Sequence, residues 1–263
     1  MKNFRSQSRP KKKSLIVGKL AILEAIQIGK QIDRLYLQNN GSKDMIEQMR
    51  KIAVKNAIPV NYVPVEKLNS FNVEDHGGCV ALISKIKYQD IQHIISWTVD
   101  NGEMPLFLML DGITDIRNIG GIARTAFCTG VNAIIIPDKG IGALNEDAVL
   151  TSAGALEKIP ICRVSSLLKT VDELHLNGIK VFASEMTAEK FVFNLNFKEP
   201  VAIIMGSEEK GIYPALQKAC DERFKIPMAN NFESLNVSVA TGIILYEVMK
   251  QRGSPSSAAW RRT

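Results

Sequence analysis

Three stretches of this 263-residue sequence set polar side chains among glycines, where a folded chain can bring its backbone against a ligand. Residues 110–128 read LDGITDIRNIGGIARTAFC. There Asn118 is suited to cap or orient a helix start, and Gly120 and Gly121 allow close backbone approach. Arg124 follows about one and a half turns later, near the ligand end. Residues 203–214, IIMGSEEKGIYP, leave an apolar run directly, and Gly206 and Gly211 bracket a tight turn that carries a strong acceptor, Glu208. A surface turn with solvated acids has the same composition. In residues 224–252, Ser234, Leu235 and Asn236 open a helix whose next residues are nearly all apolar or small, so it belongs in a core or a subunit interface. Capping alone is a sufficient reason for Ser234. Asn236, read as lying just inside the first turn, is disfavoured there by helix propensity and needs partners if buried.

Other chemistries fit less well. The first stretch lacks the GxGxxG order of a dinucleotide turn, and the following strand ends IIIPDK, with Pro137 before Asp138 where a ribose-binding acid would stand. A nicotinamide enzyme is therefore disfavoured. Cysteines at 79, 128, 162 and 220 form no CxxC pair, and histidines at 76, 93 and 175 complete no metal set. Thiols used as small core residues fit a reducing compartment, and a cytoplasmic location is expected.

The elements that must position these stretches show two rhythms. In the first part, residues 17–29 have helical periodicity with Leu20, Leu23, Ala25 and Ile26 on one face. Residues 32–38 read as a strand, and residues 42–57 as a helix with Ser42 as cap and Met45, Ile46, Met49 and Ile52 inward. Residues 58–63 and 79–86 read as strands around a turn or helix bearing Leu68. In the second part, apolar runs at 106–110, 133–136, 180–183 and 201–205 alternate with helical segments, the pattern of βα repeats forming a mostly parallel sheet. Ligands in such sheets bind beyond the strand C-termini, which is where the three polar stretches fall. The expected division is a basic arm at 1–13, a small α/β domain at 14–86, a join at 87–104, a larger α/β domain at 105–252 and a tail at 253–263.

Hydrophobic residues make up 46% and charged residues 23%, enough for cores in both domains. The apolar runs at 106–110 and 201–205 fall far short of the roughly 20 residues that cross a bilayer, so no membrane role is expected. No apolar leader follows the basic N-terminus. The formal charge of +6 sits wholly in the arm, which holds Lys2, Arg5, Arg9, Lys11, Lys12 and Lys13 and no acid. A polyanion is its natural partner, although a solubilising terminus has the same composition. At the other end Trp260 beside Arg261 and Arg262 could stack on a base or anchor a surface.

In order along the chain, NIGGIARTA at 118–126, MGSEEKGI at 205–212 and IPM at 226–228 followed by SLNVSVATG at 234–242 resemble the SpoU (TrmH) family of S-adenosylmethionine-dependent RNA ribose 2'-O-methyltransferases, in the SPOUT superfamily. SAGALE at 152–157 and Cys220-Asp221 fit as well. Val17-Gly18 and HGGCVA at 76–81 resemble the small substrate-binding domain of bacterial 23S rRNA (guanosine-2'-O)-methyltransferases, a ribosomal-protein-like fold, with Gly77 and Cys79 where the family usually has Gln and Val. Ile116 replaces a frequent Pro, and Asn230 a common Gly.

The resemblance implies an α/β protein whose C-terminal domain is a mostly parallel sheet tied in a deep trefoil knot. It implies that S-adenosylmethionine is held, mostly by backbone groups, at Ser184, Glu185, Met186, Met205, Gly206, Gly211, Ile226, Met228 and Leu235. It further implies that Arg124 holds phosphate and steadies the emerging alkoxide, with Asn118, Glu208, Ser234 and Asn236 orienting it and the ribose. The expected substrate is a guanosine of 23S rRNA, with tRNA ribose methylation or an inactive RNA-binding scaffold as alternatives. A homodimer through the knot domain, along the final helix at 237–249, is expected, with Ala240 and Gly242 allowing close approach of the second copy.

Overall fold

The computed structural model describes residues 15–56, 58–73, 75–142, 144, 146–230 and 234–253. The basic arm, and all of the tail beyond Gly253 including Trp260, lie outside the described residues. The chain forms two compact units that part between Ile86 and Lys87, with residues 144–146 counted to the first.

The first unit runs β1 (Leu15–Val17), α1 (Lys19–Gln27), β2 (Ile32–Gln38), α2 (Lys43–Lys55), β3 (Val60–Val63), α3 (Val65–Asn69) and β4 (Cys79–Ile83). Its sheet has the order β1-β4-β2-β3, with β3 parallel to β2 and the other pairs antiparallel. Alternation along β2 sends Leu35 and Leu37 into a core with Ile22, Met49, Ala53, Cys79 and Ala81, while Tyr36 packs on the opposite face against Phe71. Two expectations for this unit are corrected. Val17 belongs to a strand, because Gly18 at φ +83° breaks the chain before the helix begins. Leu20 is 80% exposed, since Ile22 and Ala25 carry the buried face and Leu20 lies on the opposite side. Ser42 occupies the N-cap position of α2 without a side-chain capping bond.

The second unit runs β5 (Tyr88–Gln89), α4 (Ile91–Asp100), β6 (Leu106–Asp111), α5 (Ile116–Cys128), β7 (Ala133–Pro137), α6 (Glu146–Thr151), β8 (Ile161–Val164), α7 (Leu167–Leu176), β9 (Lys180–Ser184), β10 (Lys190–Phe191), β11 (Val201–Gly206), α8 (Pro214–Ala219), β12 (Glu222–Lys225) and α9 (Val237–Arg252). All strands pair in parallel in the order β10-β12-β9-β11-β6-β7-β8-β5. Residues 87–104 are therefore not a join. β5 extends the sheet, and Asp90 caps α4 by accepting from the His93 amide at 2.9 Å. Ile91, Ile94 and Ile95 of α4 enter the core beside Phe107 and Met109. Strands β8 and β12 escape a search for apolar runs because ICRV and ERFK mix buried with charged positions.

Order in this sheet reverses direction between β6 and β11: the chain proceeds outward through β7 and β8 on one side, and β9 and β12 lie on the other. Loops at the C-terminal ends of β6, β11, β9 and β12 thus share one edge, with register pairs Gly206 to Asp111, Ile204 to Ala183 and Ser184 to Phe224. This is the switch-point crevice where such sheets take ligands. From β12 the chain returns as α9 and packs on α5. Its far end is clamped: the Arg252 guanidinium donates to the carbonyls of Phe197, Met104, Pro105 and Glu199 at 2.8, 2.9, 3.0 and 2.8 Å. Burial pushes the Arg252 pKa down to about 10, and the four carbonyls supply the acceptors that its charged form has lost from water.

Candidate active site

The true cap of α5 is Asp115, whose carboxylate accepts from the Arg117 amide at 2.9 Å and pairs with its guanidinium at 2.7 Å. Asn118 therefore sits inside the first turn and is free of capping duty. The paired glycines serve helix packing. A Cβ on Gly120 would lie 2.5 Å from Thr151 Oγ1 and 2.9 Å from the Ser152 nitrogen, and one on Gly121 would lie 3.2 Å from Ser238 Cβ. This corrects the reading in which they open backbone to a ligand.

Beyond β11 the chain makes a tight hairpin. Ser207 and Gly211 exchange backbone hydrogen bonds of 3.2 and 2.8 Å, and the Lys210 amide donates to Ser207 Oγ at 3.2 Å. Gly206 is required, because a Cβ there would meet the Gly211 carbonyl carbon at 2.3 Å. The Asp111 carboxylate, at the end of neighbouring β6, accepts from the Tyr213 amide at 2.7 Å and pins the hairpin's exit. Sequence reasoning missed Asp111; an acid closing the buried run LFLML was the available signal.

This scaffold delivers Glu208 to the other two motifs. Its Oε1 accepts from Asn236 Nδ2 at 2.8 Å, Asn118 Nδ2 at 3.2 Å and the Val237 amide at 3.3 Å. Asn236 Nδ2 also reaches Asn118 Oδ1 at 3.0 Å. Asn236 proves to be the N-cap of α9 itself: its Oδ1 accepts from the amides of Ser238 and Val239 at 3.0 and 3.4 Å and from Ser238 Oγ at 2.6 Å. The expectation that places it inside the first turn is corrected, and the cap explains its type. One carboxylate oxygen thus ties together three segments that are far apart in sequence. Ser234 is half-buried and stands outside this network, and Arg124 is exposed with no hydrogen bond or ion pair among the described residues. Arg124 lies one turn beyond Gly121, whose backbone rests on Ser238, so it projects from the helix that the network holds.

The segments expected to hold a cofactor leave three adjacent strand ends. After β9, the Glu185 amide continues the ladder to the Phe224 carbonyl at 2.8 Å, and its carboxylate accepts from Thr187 Oγ1 at 2.7 Å and faces Arg223 at 3.5 Å. Met186 is exposed, whereas Ile226, Met228 and Leu235 are half-buried. Met205 is buried in β11, so its side chain is closed to a ligand. Aliphatic and thioether side chains on segments that leave adjacent ends of a parallel sheet suit an apolar-faced, polar-edged group such as adenosine.

Among the described residues no three His, Cys, Asp or Glu side chains gather as a metal-holding group, and no helix is long and apolar enough to cross a membrane. Burial pushes the thiols of Cys162 and Cys220 up to about 12.

Known proteins resemble this chain in both of its units. Residues 105–246 match the model of the SpoU rRNA Methylase family, and residues 15–89 match the model described as RNA 2'-O ribose methyltransferase substrate binding. A Bacillus subtilis (strain 168) protein, YacO, named for the TrmH family of tRNA/rRNA methyltransferases, is 33% identical over 90% of this chain and 95% of its own length. Among solved structures, an AdoMet-bound rRNA methyltransferase from Sinorhizobium meliloti matches with a TM-score of 0.58 at 22% identity, covering 91% of this chain and 88% of that one. The A. aeolicus TrmH/SpoU tRNA modifying enzyme matches with a TM-score of 0.52 at 25% identity, covering 60% of this chain and 84% of that one. The fold is a substrate-binding domain followed by a mostly parallel α/β domain of the SPOUT knot type. The chain belongs to the SpoU (TrmH) family of S-adenosylmethionine-dependent RNA ribose 2'-O-methyltransferases.

Proposed function

We propose that this protein methylates the ribose 2'-oxygen of a guanosine in 23S ribosomal RNA. The observation that carries the reading is the junction of Asn118, Glu208 and Asn236 on one carboxylate oxygen, which fixes the helix bearing Arg124 beside the switch-point crevice. The 23S target is supported by the first unit. The structure named as an rRNA methyltransferase spans nearly all of this chain, whereas the tRNA modifying enzyme spans little more than half. A tRNA ribose is the second reading, favoured by the dual naming of YacO.

In this reading S-adenosylmethionine supplies an electrophilic methyl group on a sulfonium. Ser184, Glu185, Met186, Gly206, Gly211, Ile226, Met228 and Leu235, with the Met205 backbone, would hold it. Arg124 binds the RNA phosphate and lowers the energy of the 2'-oxygen as it gains negative charge. A guanidinium has five N–H donors and no acceptor, so Arg124 acts as an electrostatic partner and the proton passes to phosphate or water. Glu208 and the two asparagines act through position, and Ser234, two residues before the cap of α9, would contact the ribose.

A homodimer is part of the same proposal, because α9 leaves Val239, Ile243 and Tyr246 exposed, and α5, which packs on it, leaves Phe127 exposed. Ile243→Glu should convert a dimer to a monomer in sedimentation velocity. Gly242 does not serve that contact alone, since a Cβ there would face Thr125 of the same chain at 3.9 Å. The basic arm adds phosphate contacts, so deleting residues 1–13 should flatten the salt dependence of RNA binding. The deciding experiment incubates the protein and labelled S-adenosylmethionine with 23S rRNA and with tRNA separately, then maps the product by mass spectrometry. A 2'-O-methylguanosine in 23S rRNA is expected; a methylated base, or label in tRNA alone, rejects the assignment.

A further inference from the structure

Outside the crevice, the edge of the large sheet carries a feature that packing does not explain. Strand β10 is its outermost strand; Phe191 at its end and Phe193 in the 3-10 turn that follows are 36% and 53% exposed. Their rings stack on each other, with centroids 5.4 Å apart and planes 27° from parallel. Intervening Val192 turns inward and is buried, so the chain has an apolar residue for the core and still sets two phenyl rings outside it. Lys225 Nζ lies 5.4 Å from the Phe191 ring centroid and has no carboxylate partner among the described residues. The neighbouring cations Lys190 and Arg223 are paired with Glu222 and Glu185.

We propose that Phe191 and Phe193 form a stacking platform for an unpaired base of the RNA, with Lys225 meeting an adjacent phosphate. The inference rests on the reading of the chain as an RNA ribose methyltransferase and adds a substrate contact to it. Three features select single-stranded RNA as the occupant. Stacked, exposed rings present a π-face that any base accepts, and an ammonium beside them with no carboxylate partner among the described residues complements the backbone. The platform is also continuous with the crevice, since Phe191 pairs in register with Lys225, the residue before Ile226, and β10 begins four residues after Met186. A nucleotide flanking the modified ribose would lie along this edge.

The test uses the full chain and a single-stranded oligoribonucleotide carrying 2-aminopurine, whose fluorescence falls when it stacks. Wild-type protein should quench it, and an oligonucleotide with an abasic site at that position should bind more weakly. Phe193→Leu keeps an apolar group but removes the π-face, and it should weaken RNA binding roughly tenfold and abolish the quenching. Phe193→Tyr should restore both, and S-adenosylmethionine affinity by calorimetry should stay at the wild-type value for each variant. Unchanged RNA affinity and quenching in Phe193→Leu, while the wild type methylates RNA, overturns the platform and leaves the enzyme assignment intact. Failure of the wild type to bind or methylate any RNA overturns both. A fall in sedimentation mass for Phe193→Leu marks the rings as a contact between copies of this chain and also overturns the proposal.

Discussion

Arg124 and Glu208 illustrate two ways in which a charged side chain can serve one site. Arg124 is exposed and its side chain makes no hydrogen bond or ion pair among the described residues, so replacing it removes no contact that they show. Arg124→Ala should lower the methylation rate on the order of 100-fold, about 3 kcal/mol of transition-state stabilisation, with an unchanged thermal midpoint. Equal losses of rate and stability would mark a structural arginine instead. Glu208 is the reverse case. Glu208→Ala leaves Asn118, Asn236 and the Val237 amide without their shared acceptor. Water reaches this exposed group and repairs part of the loss, so the stability cost should be about 1 kcal/mol. Cofactor affinity should fall more steeply, because the hairpin and the start of α9 lose their common anchor. Calorimetric titration of S-adenosylmethionine beside a denaturation curve separates the two effects; a normal affinity would refute the anchoring role.

At the scale of elements, α9 is held at both ends by side chains that a hydrophobic pattern does not display. Its N-terminus is capped by Asn236 and tied to Glu208, and its C-terminus is clamped through Arg252. Gln251 adds to the clamp by donating to the Leu195 carbonyl at 3.1 Å and accepting from the Phe197 amide at 3.0 Å. Arg252→Met preserves much of the apolar stem but leaves four carbonyls without their donor. That substitution should destabilise the second unit by about 3 kcal/mol, read as a shift in its urea midpoint. A shift within error would show that water satisfies those carbonyls equally well.

For the whole molecule, buried Cys162 and half-buried Cys220 set an alkaline limit to stability. Cys162 and Cys220 are pushed up from 9.0 to about 12 by burial, the first also by Asp90 and Glu173 and the second by Asp221. The folded state therefore retains protons that the unfolded chain releases. Stability contributed this way is fully present below pH 9 and is lost as pH rises towards 12. Cys162→Ala should flatten the fall in thermal midpoint between about pH 9 and pH 11, although it lowers the midpoint at pH 7 by opening a small cavity. An unaltered alkaline slope would assign the loss to other groups. Native-state alkylation should label exposed Cys128 first and leave buried Cys79 and Cys162 until the chain opens.

Sequence alone determined the alternation of apolar runs and helices that makes the second unit a parallel α/β sheet, and the three ordered motifs that mark its family. Both are local properties: a strand at 106–110 or a hairpin between Gly206 and Gly211 is written in consecutive residues. It also placed Arg124, Glu208 and Asn236 as the polar residues to watch. Roles that depend on partners distant in the chain were decided only by the tertiary structure. Asn236 reads as an unexplained amide until Ser238, Val239 and Glu208 surround it. Gly120 and Gly121 read as ligand-facing until Thr151 and Ser238 press on them. Residues 87–104 read as a join until β8 pairs with β5. In each case a residue's energy is set by what occupies the space around it, and a linear pattern does not contain that neighbour.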